Sequence, residues 1–419
     1  MSRPSRLLVA NLLAQFAFGL LAMTICLPSM QEWGTEFGAS QASVQLTFSG
    51  YVVAYGALQL IYGPVSDRVG RKKVLLAGLA LAFVGSVAAA WAGDLLTLTL
   101  ARVVQGAGSA AGMVVGRAMV QDLFEGPERT RVMAFVGMAM GLCPPLATIV
   151  GGQIHVLGGW QANFVLMAVM AAALFVAAWR GLPDSAKPAS ASASASASVP
   201  TQPHWLRAML AAYARLAREP AFLLYVVILS MTTATFYTFL GGAPIVLKSY
   251  GVGPEGVGYH IMCIPLAYIV GNYLTSHLVQ RAGETRMMVL GQACTLSGLA
   301  IVLALALAQV NTPLALSLPL VLLGIGHGLM MPPTLAGTVG LVPALAGSAA
   351  AVAGVMQQLT GAAGGFAVGL FTHDGALTLG LLMLGSALCS LVALVALMAL
   401  LRGKVAPLPS RRTPGDAHP

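Results

Sequence analysis

The chain has 419 residues, of which 58% are hydrophobic and only 8% charged, and its mean hydropathy is +0.83. This composition excludes an ordinary water-soluble globular protein and indicates a lipid bilayer as the solvent for most of the chain. The formal charge of +9 is attributed to membrane topology, since no soluble basic domain is present to bind nucleic acid. The five cysteines lie in apolar runs without metal-ligand spacing, so we expect no disulfide framework, metal or cofactor.

Apolar runs long enough to cross a bilayer recur along the chain, separated by short polar or Gly/Pro-marked turns. They predict twelve transmembrane helices, at residues 7–28, 43–64, 74–92, 96–120, 132–156, 160–181, 221–247, 257–279, 287–308, 314–342, 348–371 and 376–401. The first run is too long for the core of a signal peptide, so we interpret it as an uncleaved first helix.

An alternation of Ala and Ser at residues 189–198 divides the spans into six and six, and it predicts a flexible linker. We therefore expect four regions: an N-terminal six-helix bundle (1–182), a cytoplasmic linker (183–219), a C-terminal six-helix bundle (220–401) and a cytoplasmic tail (402–419). Apolar residues at helical spacing from Trp205 to Leu216, beside arginines, predict a helix in the linker. It is either an interfacial helix on an anionic leaflet or a plain loop helix.

The distribution of basic residues predicts the orientation. Short cytoplasmic loops collect Lys and Arg, and 19 of the 22 lie in segments on the side of the two termini. Lys248 lies in a loop on the other side, and Arg102 and Arg117 lie within a span. We therefore expect a multi-pass protein of a bacterial inner membrane with both termini in the cytoplasm.

The loop between the second and third predicted spans carries the most specific motif in the chain. This signature loop reads GPVSDRVGRKK from Gly63 to Lys73. Topology alone would need neither a carboxylate nor two glycines at these offsets, whereas glycine permits a tight turn. Asp67 can oppose a helix N-terminus or an arginine across the interface between the halves. The residues predicted to gate the cytoplasmic side are Gly63, Asp67, Arg68, Gly70, Arg71 and Lys72.

The signature loop resembles that of the major facilitator superfamily, and its GPxSDRxGRKxVL form resembles the bicyclomycin/chloramphenicol-resistance (Bcr/CflA) branch of drug exporters. The resemblance implies an all-α membrane protein of two six-helix halves that moves a small molecule by alternating access. It also implies protons as a candidate coupling ion, and we expect a monomer. The alternative from another class is a sensor or an enzyme, but no clustered His, Asp and Glu or nucleophile with its base supports an enzyme.

The fourth predicted span reads LARVVQGAG at residues 100–108, which resembles the second motif of the family. Arg102 lies about 10 Å into the span at about 1.5 Å per residue, where a buried charge is costly and usually functional. In relatives the matching arginine is implicated in proton coupling, and the resemblance extends that role to Arg102. Arg117 and Asp122 resemble the RAxxxD pattern at the inner end of the span, although snorkelling to the interface explains Arg117 equally well.

The fifth predicted span is rich in glycine and proline, and it resembles the motif associated with exporters. Glycine and proline would bend the helix and let its neighbour approach, which forms a pliable seam for rocking. Ordinary packing of small residues is the alternative. Thr148 stands where the branch typically has a second proline. The residues assigned to this export motif are Gly141, Pro144, Pro145, Gly151 and Gly152.

One departure from the branch concerns the energy source. The branch usually has an aspartate near the outer end of the first span, in a pattern like DxYLP, but this chain reads TICLP from Thr24 to Pro28. All 13 acidic residues lie in loops or at helix ends, so no carboxylate is available at mid-membrane to take up a proton. His327, roughly 20 Å into the tenth span, either titrates or is hydrogen-bonded between packed helices.

The resemblance implies a substrate cavity between the halves. Aromatic and amide side chains without acids favour a neutral, zwitterionic or anionic compound over a cationic one, although each candidate could equally serve in packing. The candidates are Gln15, Thr24, Tyr51, Tyr55, Gln59, Phe236, Tyr237, Tyr268 and Gln357. We predict an exporter of a drug or an endogenous metabolite, and the alternative is an importer or an uncoupled facilitator.

Overall fold

The structure is a computed structural model, and it describes residues 6–183, 205–342 and 345–405. Within these ranges all regular elements are helices. Ten of the helices described are long and apolar enough to cross a membrane, by length and composition. The predicted all-α membrane architecture is therefore confirmed. The Ala/Ser-rich segment and residues 406–419 of the predicted tail lie outside the described residues.

The first described range, residues 6–183, folds into long helices that follow the predicted spans closely. Their bounds are α1 (Arg6–Thr24), α2 (Met30–Glu36), α3 (Gln41–Val69), α4 (Arg71–Ala90), α5 (Leu95–Leu123) and α6 (Gly126–Gly181). Gly159 has a φ of 77°, so α6 is broken there and covers both the fifth and the sixth predicted spans. We call these helices the N-terminal half.

The later ranges contain the interfacial or loop helix predicted within the linker, followed by the C-terminal half. Their bounds are α7 (Trp205–Leu216), α8 (Pro220–Ser249), α9 (Pro254–Ile261), α10 (Cys263–Ala282), α11 (Glu284–Leu307), α12 (Pro313–Ser317), α13 (Leu320–Gly340), α14 (Ala346–Val368) and α15 (Ala376–Val405). The eighth predicted span consists of α9 and α10, and the tenth consists of α12 and α13.

The ten candidate spans differ from the twelve predicted for two physical reasons. The fifth and sixth predicted spans form one continuous element, α6, with the break at Gly159 inside it, so they count as one candidate span. The eleventh predicted span is α14, whose hydropathy is lowered by the adjacent amides of Gln357 and Gln358. The helices themselves occupy the predicted positions.

Helix α5 begins at Leu95 because Asp94 caps it. The Asp94 carboxylate accepts hydrogen bonds from the backbone N–H of Thr97 at 2.9 Å and from the Thr97 hydroxyl at 2.7 Å. These bonds stabilise the ionised form and lower the pKa of Asp94 below its usual value. The cap fixes the start of the helix and thereby the depth of Arg102, two turns further on.

Glycines in α5 let its backbone lie directly on its neighbours. A Cβ at Gly106 would overlap the backbone of Tyr51 in α3, and a Cβ at Gly108 would overlap the backbone of Ala82 in α4. Without a strong hydrophobic force between helices in lipid, such close contact supplies the packing energy. The position of α5 against α3 and α4 therefore depends on these two glycines.

The C-terminal half repeats this packing with a second Gly-x-Gly pair. A Cβ at Gly324 of α13 would overlap the backbone of Ile264 in α10, and one at Gly326 would overlap the backbone of Gly291 in α11. In both halves the first glycine of the pair contacts the second long helix of that half, which is α3 or α10. The other glycine contacts the third long helix, which is α4 or α11. This correspondence is expected of duplicated halves.

The two halves bind each other at one end of the bundle. We call the end where α3 joins α4 the signature-loop end and the other the opposite end. At the opposite end the Gln31 side chain donates to the Pro244 carbonyl at 2.6 Å, and Lys248 donates to the Gln31 carbonyl at 2.6 Å. The Gln45 side chain donates to the Gly241 carbonyl at 2.9 Å. These bonds tie α2 and α3 to α8.

Helices α3 and α14 continue this contact from the opposite end to the middle of the bundle. A Cβ at Gly369, just after α14, would meet the backbone of Ala42. Further along, the Ser49 hydroxyl donates to the Ala362 carbonyl at 2.9 Å. A Cβ at Gly56 would meet the Gln358 side chain. The opposite end is therefore closed.

The glycine packing predicts that Gly108→Ala destabilises the protein. The added methyl would meet the backbone of Ala82, which cannot rotate away, so we expect a loss of about 1–3 kcal/mol. The matched control is Gly385→Ala in α15, where nothing lies within 4 Å of the new Cβ and helix propensity favours alanine. The melting temperature of the detergent-purified protein should fall only for Gly108→Ala. Equal melting temperatures would contradict this packing role.

Candidate functional site

Gly70 makes the turn of the signature loop. It ends α3 and precedes α4 with a φ of 108°, and its N–H donates to the Ser66 carbonyl at 3.1 Å. Side chains rarely adopt this conformation, so the turn requires glycine. Two long helices are therefore joined by a single residue, and the charged side chains of the loop are held close to the helix ends.

Arg71 connects three helices at the signature-loop end. Its guanidinium pairs with Asp67 at 2.5 Å and with Asp122 at 3.2 Å, and it donates to the Ser66 hydroxyl at 2.7 Å. Asp122, assigned from sequence to a separate motif, thus belongs to the signature-loop network. The partner described for Asp67 is the first residue of α4, which agrees with the helix N-terminus that the sequence offered as one of two alternatives. Arg68 is exposed, and Gly63 and Lys72 are half-buried.

Arg102 is buried completely, and its positive charge is compensated without a carboxylate. Nη1 donates to the Ala22 carbonyl at 2.7 Å and to Gln105 at 2.6 Å, and Nη2 donates to the Met23 carbonyl at 3.2 Å. The guanidinium also lies 4.3 Å from the centroid of the Tyr51 ring. Both carbonyls belong to the last turn of α1, the negative end of the helix dipole. The end of α1 therefore acts as the counter-charge.

Thr24 occupies the position where the branch usually has an acid, directly after Met23. Its hydroxyl donates to the Leu20 carbonyl at 2.9 Å and lies 3.5 Å from the Pro144 carbonyl in α6. In the described part of the chain every Asp and Glu lies in a loop or a terminal turn of a helix. The structure thus supplies no substitute for the missing carboxylate within the described spans.

The glycines of the export motif lie where α6 meets α1 and the C-terminal half. A Cβ at Gly151 would overlap the Ile25 carbonyl, and one at Gly152 would overlap the backbone of Pro254 in α9. A Cβ at Gly141 would touch a side chain of α10. Pro144 and Pro145 lie between them within α6. This placement agrees with a seam between the halves, and the export role stays a prediction.

His327 lies in α13 and is 5% exposed. Counted from the Gly-x-Gly pairs, it occupies the position that Ser109 has in the N-terminal half. Its Nε2 has no hydrogen-bond partner among the described residues. The hydrogen-bonded interpretation of this histidine therefore receives no support at that nitrogen.

Aromatic rings and an amide meet in the middle of the bundle. The Tyr237 hydroxyl donates to the Gln358 side chain at 3.0 Å, and the Tyr237 ring contacts that of Phe48 with centroids 5.9 Å apart. Tyr55 stacks on Tyr51 at 6.0 Å, and its buried hydroxyl has no partner in the described ranges. We call Tyr51, Tyr55, Tyr237 and Gln358 the central cluster, and it contains three of the predicted cavity residues.

The other predicted cavity residues divide into two groups. Gln357 donates to the Thr233 hydroxyl at 3.0 Å, and Gln59, Phe236 and Tyr268 resemble it only in being half-buried. Gln15 and Thr24 instead bond within the N-terminal half, Gln15 to the Leu174 carbonyl at 3.1 Å. Gln358 was not among the sequence candidates, and its position beside Gln357 is the signal that could have found it.

A polar cluster at the opposite end had no sequence signal. His155 bonds through Nδ1 to the Ser29 hydroxyl at 3.0 Å and through Nε2 to Glu32 at 2.9 Å, and Asn163 donates to Ser29 at 3.2 Å. Trp160 donates to Glu36 at 2.7 Å. These bonds fix α2 to α6. Gln31, which lies between Ser29 and Glu32, is thereby positioned to reach the C-terminal half.

Comparison with known protein families shows which superfamily the chain belongs to. It matches the Major Facilitator Superfamily over residues 7–365, and it belongs to that superfamily. Members of this superfamily are membrane transporters of small molecules and not enzymes. The expectation of a transporter is thereby confirmed.

Relatives agree with the branch indicated by the signature loop. The chain is 27% identical over 382 residues to multidrug resistance protein D of Escherichia coli, covering 90% of this chain and 92% of that protein. It is 25% identical over 324 residues to a chloramphenicol resistance protein of Pseudomonas aeruginosa, covering 76% and 74%. An inward-facing, occupied bacterial homolog of the lysosomal transporter Spinster superposes with a TM-score of 0.74 at 12% identity, covering 98% of this chain and 100% of that one. The branch resemblance is confirmed at this modest identity.

We call the Ala22 and Met23 carbonyls, the Gln105 amide and the Tyr51 ring the Arg102 cage. These contacts predict that Arg102→Lys destabilises the protein. An ammonium cannot reach both α1 carbonyls and lie flat on the Tyr51 ring, so at least one charge-assisted bond is lost, at a cost of roughly 1.5–3 kcal/mol. The matched control is Arg180→Lys at the exposed end of α6. Thermal unfolding in detergent should show the loss for Arg102→Lys alone. A similar melting temperature for both variants would argue against the cage.

Proposed function

We propose that this protein is a secondary active transporter that exports a small molecule, a drug or an endogenous metabolite, from the cytoplasm by alternating access. The observation that carries the proposal is the closed seam between the halves at the opposite end, formed by Gln31, Gln45 and the glycines of α6. When two halves contact each other at one end only, rocking of one half against the other can expose a central site to one side of the membrane and then to the other. Drug-resistance proteins among its relatives support the export direction.

The proposed orientation places the signature loop in the cytoplasm, in a bacterial inner membrane. Arg68, Arg71, Lys72 and Lys73 lie at that end, and short cytoplasmic loops collect such residues. In this orientation the closed opposite end faces outward. The proposed regions are the two bundles (1–182 and 220–401), the linker (183–219) and the tail (402–419), with the protein acting as a monomer.

Coupling to protons is the finer part of the proposal. Arg102 lies at the end of α1, and the last residue of that helix is Thr24 rather than an acid. Exchange of a proton for substrate would therefore use a group other than a carboxylate of the first span. The absence of a carboxylate in the described spans favours a second candidate function, an uncoupled facilitator or an importer of a metabolite. Whether an imposed pH gradient drives net movement of the substrate distinguishes the proton-coupled exporter from the uncoupled facilitator.

Proton coupling predicts a response to an imposed pH gradient. The substrate is first identified by an expression panel that scores drug resistance and metabolite secretion. In proteoliposomes, a pH gradient should then drive that substrate against its own gradient, and dissipating the pH gradient should stop net movement. Counterflow that persists while imposed pH gradients drive nothing would refute antiport and leave the facilitator.

The gating role of the signature loop predicts that Asp67→Asn cripples export without loss of membrane insertion. The change removes the charge that pairs with Arg71 and leaves the shape of the side chain nearly unchanged. Efflux of the identified substrate should fall towards background at equal membrane abundance. The matched control is Asp374→Asn, an exposed acid in the connection between α14 and α15. A fully active Asp67→Asn variant would exclude this gating role.

A further inference from the structure

A cavity of about 300 Å³ lies on the surface of the C-terminal half, between α11 and α15. Helix α11 packs mainly against α10, α12, α13 and α15, and α15 packs mainly against α8, α11 and α14. All of these helices belong to the C-terminal half, so the cavity is separate from the interface between the halves. Val289 and Leu290, which line it, are 40% and 51% exposed. The cavity therefore opens towards the surrounding lipid.

Three pairs of side chains line the cavity, and each pair has its polar member at the signature-loop end. The members of a pair are four residues apart in one helix, so they lie on the same helix face. Helix α11 begins and α15 ends at the signature-loop end, which places each apolar member about 6 Å further from that end. The lining thus changes from polar to apolar over one turn, as a bilayer does between its head groups and its acyl chains. The pairs are Thr285 with Val289, Arg286 with Leu290, and Arg402 with Met398.

The two helices that flank the cavity are joined by buried hydrogen bonds beyond its apolar end. Gln292 of α11 is 2% exposed, and its side chain donates to the Ala387 carbonyl of α15 at 2.8 Å. The Ser390 hydroxyl of α15 donates to the Gln292 side chain at 3.1 Å. These bonds fix the separation of α11 and α15, so the cavity is a preformed gap between two helices.

Arg286 and Arg402 bring two positive charges to the polar end of the cavity. Both side chains are exposed, and neither forms an ion pair or hydrogen bond with another residue in the ranges that the structure describes. Glu284, the acid in the first turn of α11, does not line the cavity. A guanidinium presents a planar fork of donors that matches the oxygens of a phosphate. The polar end is therefore complementary to a phosphodiester.

The apolar end distinguishes a phospholipid from a free anion. A free phosphate would contact the two arginines and leave Val289, Leu290 and Met398 uncovered. A phospholipid has both parts in the required order, because its acyl chains extend from the phosphate into the bilayer. Basic pockets between transmembrane helices at the level of the head groups are suited to anionic lipids.

We propose that the cavity between α11 and α15 is a binding site for an anionic phospholipid. The lipid phosphate bonds to Arg286 and Arg402, and an acyl chain lies along Val289, Leu290 and Met398. Snorkelling of the two arginines to any nearby head group is the alternative, and it requires no cavity. The site concerns the lipid around the protein, so it is independent of the direction and coupling of transport.

The test compares two lipids that differ in head-group charge alone. The detergent-purified full chain is titrated with dioleoyl phosphatidylglycerol or dioleoyl phosphatidylcholine, and native mass spectrometry measures the affinity of the first bound lipid. The wild-type protein should bind the anionic lipid about tenfold more tightly, since it alone carries a net negative charge. Replacing both arginines, with Arg286→Gln and Arg402→Gln, should remove most of this preference. The matched control is Arg281→Gln, an exposed arginine at the same end of α10 that does not line the cavity, and it should leave the preference unchanged.

A second variant blocks the cavity and keeps both charges. Val289→Trp fills the space in which the acyl chain lies, so it should lower the affinity for phosphatidylglycerol about tenfold. Val392→Trp is its matched control, because Val392 of α15 is 69% exposed and does not line the cavity. Thermal unfolding of each variant shows whether it is folded.

The outcomes separate the phospholipid from the other possible occupants. Equal affinity of the wild-type protein for the two lipids overturns the proposal, and this comparison involves no substitution. An anion preference that survives Val289→Trp reports snorkelling arginines and overturns it as well. Displacement of phosphatidylglycerol by an equal concentration of inorganic phosphate would assign the site to a free anion, and lipid binding that appears only after deletion of residues 406–419 would assign it to the C-terminal tail. Each of these results leaves the export proposal untouched, because the pH-gradient experiment decides that question.

Discussion

A permanently charged guanidinium cannot be buried in a membrane protein unless other groups compensate it. Here the compensation for Arg102 comes from the last carbonyls of α1, which bond to Arg102 at the point where the helix ends. Because α1 stops there, the chain leaves the helix after Thr24 and forms the separate helix α2. Helix α2 carries Gln31 to the C-terminal half. The contact of α2 with α8, one part of the closure of the opposite end, thus rests on the point where α1 ends.

The same arrangement explains how the chain tolerates threonine in place of the usual first-span acid. An aspartate at Thr24 would lie next to the carbonyls that Arg102 uses, and it would neutralise the guanidinium. With threonine, the helix end and the Tyr51 ring stabilise the charge without cancelling it.

Contacts between the halves combine small residues with side-chain donors to backbone carbonyls, whereas the described ion pairs lie within the N-terminal half. Gly56, Gly152 and Gly369 touch the other half, while the Arg71 pairs and the His155 cluster stay within the N-terminal half. Small residues let two surfaces separate without leaving buried charges unpaired. This division suits an interface that opens and closes, because the ion pairs within the N-terminal half need not break when the halves separate.

Local properties were enough to predict the spans, the turn at Gly70 and the burial of Arg102, because hydropathy, positive φ and a lone charge in an apolar run can be recognised within a short stretch of sequence. The partners of the polar side chains became known from the packed helices alone. Arg71 meets Asp122 across 51 positions, His155 meets Glu32 across 123, and Gln31 meets Pro244 across 213. No local pattern encodes such pairs, since they depend on the rotation of each helix and on which half it faces. For that reason Gln358 and the α2 cluster emerged only from the packed bundle.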